Sequence, residues 1–339
     1  MKRVLVSLIF CLNICLGMSI PIYAEESSEM MGGYTIEGIP NSHQVDPNAG
    51  YFDLSEQPGE TDQLKIKLIN QSEREKKLSI KVTDGNTNSN GLVDYTGELK
   101  NHSLLKTPLS SILKPTQETV TVPAKKEVEA TLNLTMPSQK FEGIILGGIL
   151  VSDVTDTVTE SKGMSIGNQY TYTLGVVLKN ETQTDMYKNI SVELESVEPK
   201  VFYGKKVVQA NFLNPNPYIL GEASVEGKII NEKNKKVVKE QKSEKVSIAP
   251  YSVYPFQFDW KKDEIKPGNY IFEGVVKTKD KKWKFSHKFS IEEEQAKEMN
   301  KKSVFKIVIP TWLKISSAVF VLLMITTSLW VEFRKGRRG

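Results

Sequence analysis

Cysteine is almost missing from this chain, with two among 339 residues, Cys11 and Cys15. Both lie in the first 24 residues, where Lys2 and Arg3 precede the apolar run Val4–Leu16 and Ala24 supplies a small residue for cleavage. That pattern predicts a secretory signal peptide over residues 1–24. The remainder then has no disulfide, no thiolate nucleophile and no thiolate metal site. A secreted chain without staples must rest on sizeable cores. Histidine is nearly as scarce: His43, His102 and His287 stand at no metal-binding spacing, and no H-E-x-x-H occurs. A G-x-S-x-G elbow and a phosphate-binding G-x-x-x-x-G-K-[ST] loop are also missing. No metal, cofactor or catalytic residue is expected on these grounds, and the chain reads as a non-enzyme.

Long apolar runs are few, and the second one closes the chain. Ile315–Val331 holds 17 uncharged residues, bracketed by Trp312 and Trp330 and followed by Arg334, Lys335, Arg337 and Arg338. This predicts a membrane helix over 304–331 with a cytoplasmic basic tail at 332–339 and the body of the chain outside the cell. A wall-sorting signal would need L-P-x-T-G upstream, and Ile309-Pro310-Thr311-Trp312 does not match it. Lys outnumbers Arg 40 to 5, a bias expected of an AT-rich, low-GC Gram-positive genome.

The body of the chain reads as all-β. Leu64–Ile69, Leu78–Val82 and Val128–Leu134 alternate apolar and polar residues with period two, as half-buried strands do. Gly143–Val151 is almost wholly apolar and reads as a central strand, with Gly147 and Gly148 marking a bulge or a close backbone approach. A second series includes Tyr170–Leu178, Ile190–Val197, Val207–Phe212, Ser224–Ile230, Val253–Trp260, Tyr270–Lys277 and Trp283–Ile291. Two immunoglobulin-like β-sandwiches in tandem are expected, over 33–155 and 166–292, with Ser152–Asn168 as the junction. Trp260 and Trp283 are expected in a core. Residues 25–179 hold 14 basic and 21 acidic groups, and residues 180–303 hold 23 and 19. This balance argues against nucleic acid as a partner and places the basic half nearer the membrane.

Two chemical motifs fall short. Ser103–Lys106 and Ser111–Lys114 fit S-x-x-K, but so common a residue as Lys makes such pairs frequent by chance, and the companion S-D-N and K-T-G sequences are missing. Asp84–Asp94 is similar to a calcium loop but has Gly97 where the bidentate acid belongs. It reads instead as a polar loop turning at Asn90-Gly91.

Several stretches together resemble one family. Gly50-Tyr51-Phe52-Asp53-Leu54, Pro58-Gly59, Leu68–Ser72, Thr87–Gly91, Asp94-Tyr95, Met136-Pro137 and Phe141–Gly148 are similar to the first domain of WxL-interacting proteins. Tyr170–Leu178, Asn214-Pro215 with Pro217, Ala249–Ser252, Pro267–Tyr270 and Trp283–Ile291 are similar to the second. Tyr251 departs from the pattern, which often has Asn there. The resemblance implies a peptidoglycan-binding domain, a domain that binds host matrix proteins such as collagen or fibronectin, and assembly with secreted WxL proteins at the cell wall. Aromatic and amide side chains suited to glycans lie at Tyr51, Asn86, Asn88, Asn90, Asp94 and Tyr95, if the loop folds toward Tyr51. Candidate partner contacts are Asn214, Tyr218, Lys233, Lys235 and Lys236.

Overall fold

The computed structural model describes residues 31–155, 170–304 and 311–336. The expected signal peptide, most of the Ser152–Asn168 junction and the last three residues of the basic tail lie outside the described residues.

The first half is built from β1 (Tyr34–Ile39), β2 (Phe52–Ser55), β3 (Thr61–Asn70), β4 (Lys76–Asp84), the short pair β5 (Asn86–Thr87) and β6 (Val93–Asp94), the single turn α1 (Leu109–Ile112), β7 (Leu113–Pro115), β8 (Thr119–Val122), β9 (Glu127–Thr135), β10 (Ile145–Asp153) and β11 (Thr171–Lys179). One sheet runs β1-β3-β9-β7 and the other β2-β11-β10-β4-β8. Period-two alternation directs Leu64, Ile66 and Leu68 of β3 into the shared core with Leu132 of β9 and Ile149 of β10. The lysines between them face solvent, opposite Glu127 and Glu129. Full burial of five such aliphatic side chains contributes roughly 1.5–3 kcal/mol each before the entropy of ordering the chain is set against it.

Strand β10 is buried on both faces, as its apolar run requires. Ile145, Ile149 and Val151 enter the core, while Ile144, just ahead of the strand, and Leu146 face the other way, toward the second half. Register against β4 is unbroken, so Gly147 marks no bulge but a close approach. A Cβ there would lie 2.2 Å from the Thr83 carbonyl oxygen.

One assignment differs from the sequence reading. Tyr170–Leu178 was expected to open the second sandwich. The strand it forms, β11, instead lies between β10 and β2 in the first, antiparallel to β10 and parallel to β2. A parallel partner more than a hundred residues away leaves no trace in local periodicity.

The second half comprises β12 (Glu193–Phe202), β13 (Lys205–Asn214), β14 (Leu220–Asn231), β15 (Val237–Ile248), β16 (Ser252–Asp259), β17 (Gly268–Lys277), β18 (Lys282–Ile291) and α2 (Glu293–Lys302). Its sheets are β12-β13-β16 and β15-β14-β17-β18. Aromatic rings fill the space between them. Phe212, Phe256, Phe258 and Phe272 meet edge-on or tilted with centroids 5.1–6.1 Å apart, the arrangement that ring quadrupoles favour. Trp260 is buried in this core and Trp283 packs against it, as expected. Helix α2 adds Ala296 and Met299.

A last helix, α3 (Thr311–Gly336), forms where a membrane span was expected. That expectation is corrected: among the described residues no helix is long and apolar enough to cross a membrane. The uncharged stretch, at 17 residues, stands at the lower limit for spanning.

Candidate functional site

The loop after β4 does fold toward Tyr51, but its polar groups are spent on the protein itself. Asn88 shapes the turn: its Oδ1 accepts from the amides of Asn90 at 3.0 Å and Leu92 at 3.3 Å, as turn-forming asparagines do. Asn86 is buried, donating to Asn101 Oδ1 at 2.9 Å, and Asn101 donates on to Asp84 Oδ2 at 2.7 Å. Asp94 Oδ1 accepts from the Thr96 amide and hydroxyl. Of the three loop asparagines expected to meet a glycan, Asn90 alone is exposed. The calcium-like spacing therefore gathers no ligands.

The loop tip seats on the second sandwich. Gly91, at φ +75°, accepts at its carbonyl oxygen a hydrogen bond from the Ser247 amide at 2.8 Å, and a Cβ there would stand 2.9 Å from Val246. Thr87 Oγ1 accepts from the Ala249 amide at 2.9 Å. Beside it, Ile144, Leu146 and Val177 meet Ile219 and Ala249 in a third apolar cluster, with Tyr51, Tyr95, Val93 and Met186 half-buried around it. Burial, with Tyr187 and Tyr51 alongside, pushes the Tyr95 phenol up to about 12. Burial and then Asp53 raise Tyr51 as well. Tyr51 and Tyr95 are thus brought together, but as part of the junction between the halves.

Tyr51 has a second aspect. With Phe52, Gln44, Glu37, Ile36 and Leu174 it lines a 340 Å³ cavity between β1 and the segment that folds back onto β2. That segment is held by Val45 donating its amide to the Asp53 carbonyl at 2.8 Å and by the Gln44 side chain donating to the Tyr51 carbonyl at 3.0 Å.

The expected partner residues separate into two places. Asn214 is fully buried, and its Nδ2 donates to the carbonyls of Tyr218, Ile248 and Ala249 at 2.7–3.1 Å. Tyr218 donates its hydroxyl to Glu142 across the junction at 3.0 Å, with Lys188 4.8 Å from its ring centre. Both are structural. Lys233, Lys235 and Lys236 are exposed on the turn after β14, whose amides Asn231 Oδ1 caps. Twelve residues of β14 put that turn roughly 35–40 Å from Tyr218. Between these ends lies a broad concavity, 870 Å³ over the outer face of the four-stranded sheet, where Glu226, Lys228, Glu240, Lys242, Glu273 and Lys284 alternate in charge. Sequence alone pointed to neither concavity. Each gathers residues from several strands, and alternating charge on a strand is the ordinary sign of a wet face.

The S-x-x-K pair Ser111 and Lys114 is not arranged for catalysis. Ser111 donates to the Pro108 carbonyl and Lys114 to the Ser110 carbonyl. Among the described residues, one group could hold a metal, and the sequence reading missed it: His43, Glu56 and Glu60 converge though they follow no ligand spacing. Burial, with the Asp62 and Glu60 carboxyls facing it, pushes Glu56 up to about 8.

Comparison with known proteins returns two family models. Residues 34–153 match the model described as WxL Interacting Protein, peptidoglycan binding domain. Residues 161–301 match WxL Interacting Protein, host binding domain. A search among curated proteins returned no match. Solved structures with distant similarity include the CupB2 chaperone of Pseudomonas aeruginosa, at 15% identity over 68% of this chain and 92% of that one, TM-score 0.26. The YadV chaperone is 10% identical over 76% and 100%, TM-score 0.28, and the DraB chaperone of E. coli is 12% identical over 70% and 93%, TM-score 0.27.

Proposed function

The chain belongs to the WxL-interacting protein family, and from that premise we propose that it is a non-catalytic surface protein that holds peptidoglycan through its first sandwich and protein partners through its second. The observation that carries this reading is the pair of matches in that order, over two halves that each have their own core. Both sandwiches are read as immunoglobulin-like. Within the first, the 340 Å³ cavity beside Tyr51 is the proposed glycan subsite, since it offers the half-buried Tyr51 ring and the exposed Glu37 carboxylate in one concave place. The partners are secreted WxL proteins. The C-terminal end is attached to the membrane through α3, where Ile315, Val319, Phe320 and Leu322 are all exposed, an apolar surface that favours lipid over water. Recovery of the chain in the soluble fraction of broken cells, and not with the membranes, would show this attachment to be wrong.

Sedimentation of the full chain with insoluble peptidoglycan tests the reading. Retention is expected, with a loss of about tenfold in affinity for Tyr51→Ala, an aromatic contact worth roughly 1–2 kcal/mol. A chain that stays in the supernatant defeats the wall-binding claim.

A second reading, a host-matrix adhesin, is favoured by the name of the second matched domain and by the charged concavity over β14, β15, β17 and β18. Surface plasmon resonance against immobilised collagen and fibronectin checks it. Binding that survives 0.5 M salt supports an adhesin; a signal removed both by salt and by replacing Lys233, Lys235 and Lys236 with Ala is non-specific charge attraction.

A further inference from the structure

Glu56 is a glutamate in a place where an isolated carboxylate does not belong. Its side chain is fully buried, and neither carboxylate oxygen accepts a hydrogen bond. The fold imposes this position. The Glu56 amide donates to the Lys179 carbonyl at 2.9 Å, and Asn180 Nδ2 donates to the Glu56 carbonyl at 3.0 Å, which ties the end of β2 to the end of β11. An ionised carboxylate buried without compensation costs several kcal/mol. Its nearest basic neighbour on β11, Lys179, is committed to Asp53 at 2.8 Å.

What faces Glu56 is a set of donor atoms. His43 Nδ1 lies 2.9 Å from Glu56 Oε2, and His43 Nε2 lies 3.8 Å from Glu60 Oε1. One ligand atom from each of His43, Glu56 and Glu60 falls within 4.8 Å of the other two. Asp62 stands at the margin, held by Asn41 Nδ2. The three come from the folded-back segment, the end of β2 and the residue before β3, so each is fixed by different backbone hydrogen bonds. Ser55 donates its amide to the His43 carbonyl at 3.0 Å, and the His43 amide donates to Asn41 Oδ1 at 3.0 Å.

We propose that His43, Glu56 and Glu60 bind one divalent first-row transition-metal ion that locks the segment 41–51 onto β2. An imidazole with two carboxylates suits Zn²⁺ or Mn²⁺ better than Ca²⁺, which takes six or more oxygen ligands. His43 and Glu60 are about a third exposed, which leaves the ion a path from solvent. The ion takes the positive role that no hydrogen-bond donor fills at Glu56. The segment it locks also walls the cavity beside Tyr51, but metal binding does not depend on the peptidoglycan or partner readings and is measured without either ligand.

Isothermal titration of ZnCl₂ into the untagged full chain, stripped with EDTA, tests this. One Zn²⁺ per chain is expected, with a higher thermal midpoint and slower amide exchange over 41–51. Glu60→Gln, which alters a side chain about a third exposed and is expected to fold as the parent does, should weaken binding by at least about tenfold, as ligand loss does. Glu56→Gln is expected to weaken it further while folding normally by circular dichroism. His102→Ala, which removes a histidine that pairs with Glu195 and the Leu104 amide, is expected to bind as the parent does. Absence of saturable binding, or Glu60→Gln and Glu56→Gln chains that bind as tightly as the parent, overturns the proposal. Ca²⁺ binding as tight as Zn²⁺ overturns the choice of metal class.

Discussion

Asn214 shows why an exposed-looking motif can be wholly internal. In sequence it sits in Asn-Pro-Asn-Pro, a polar loop by every local sign. In the fold one buried amide group serves three carbonyls. Asn214→Ala should cost about 2–3 kcal/mol, since buried acceptors left without donors pay their full desolvation; a urea midpoint measures it. Gly91 is constrained in a different way. Its positive φ and its contact with Val246 both exclude a side chain. Gly91→Ala should destabilise by more than about 1 kcal/mol, with the loss concentrated at the junction between the halves. Amide exchange at Ser247 is the readout. Tyr251, where the family often has Asn, takes φ +52°. Asn adopts that left-handed conformation far more readily than Tyr, so the family preference has a backbone cause and need not involve a ligand.

At the scale of single elements, pairing across β4 and β10 gives a pH dependence. Burial raises the Asp153 carboxyl, but the Lys76 hydrogen bond and those from Thr155 outweigh it and hold it below the usual aspartate value. A folded pKa below the unfolded one means stability that is present at neutral pH. It is lost as pH falls below about 4 and the carboxyl takes a proton. Lys76→Met should lower stability at pH 7 and flatten the fall between about pH 4 and 2.5, as urea midpoints across that range will report. The strands themselves were largely legible. Period-two alternation marked β3, β4 and β9, and the unbroken apolar run marked β10. The partner of β11 was not legible, because a strand's own residues report its burial but not which sheet buries it. The same limit hid the His43 group. Its ligands are a turn residue, a strand end and a loop acid, 13 and 4 residues apart, and no single element makes that spacing periodic. Tyr51 and Tyr95 of the Asn-rich loop meet in the third cluster beside the central strands. Their burial against Ile219 and Ala249 could not be read from either stretch alone.

Considered as a whole, the described molecule is two cores joined by a third. Ile144, Leu146 and Val177 on one side and Ile219 and Ala249 on the other form an apolar contact, sealed by hydrogen bonds from Ser247, Ala249 and Tyr218. Coupling of this kind should make the halves unfold together. A single calorimetric transition is expected for the parent chain. Ile219→Asp, which buries an unpaired charge in the contact, should split it into two; two transitions in the parent would mean the contact carries little energy. The placement of β11 also governs how the protein can be dissected. The matched family segments part between residues 153 and 161, yet the strand that fills the gap between β10 and β2 begins at Thr171. A fragment trimmed at the family boundary would leave β10 with a naked flank and β2 without its strand partner, held only by the bridge to Gln44. Such a truncation should precipitate or swap strands between copies, whereas one extended past Asn180 keeps β11 and can be studied alone.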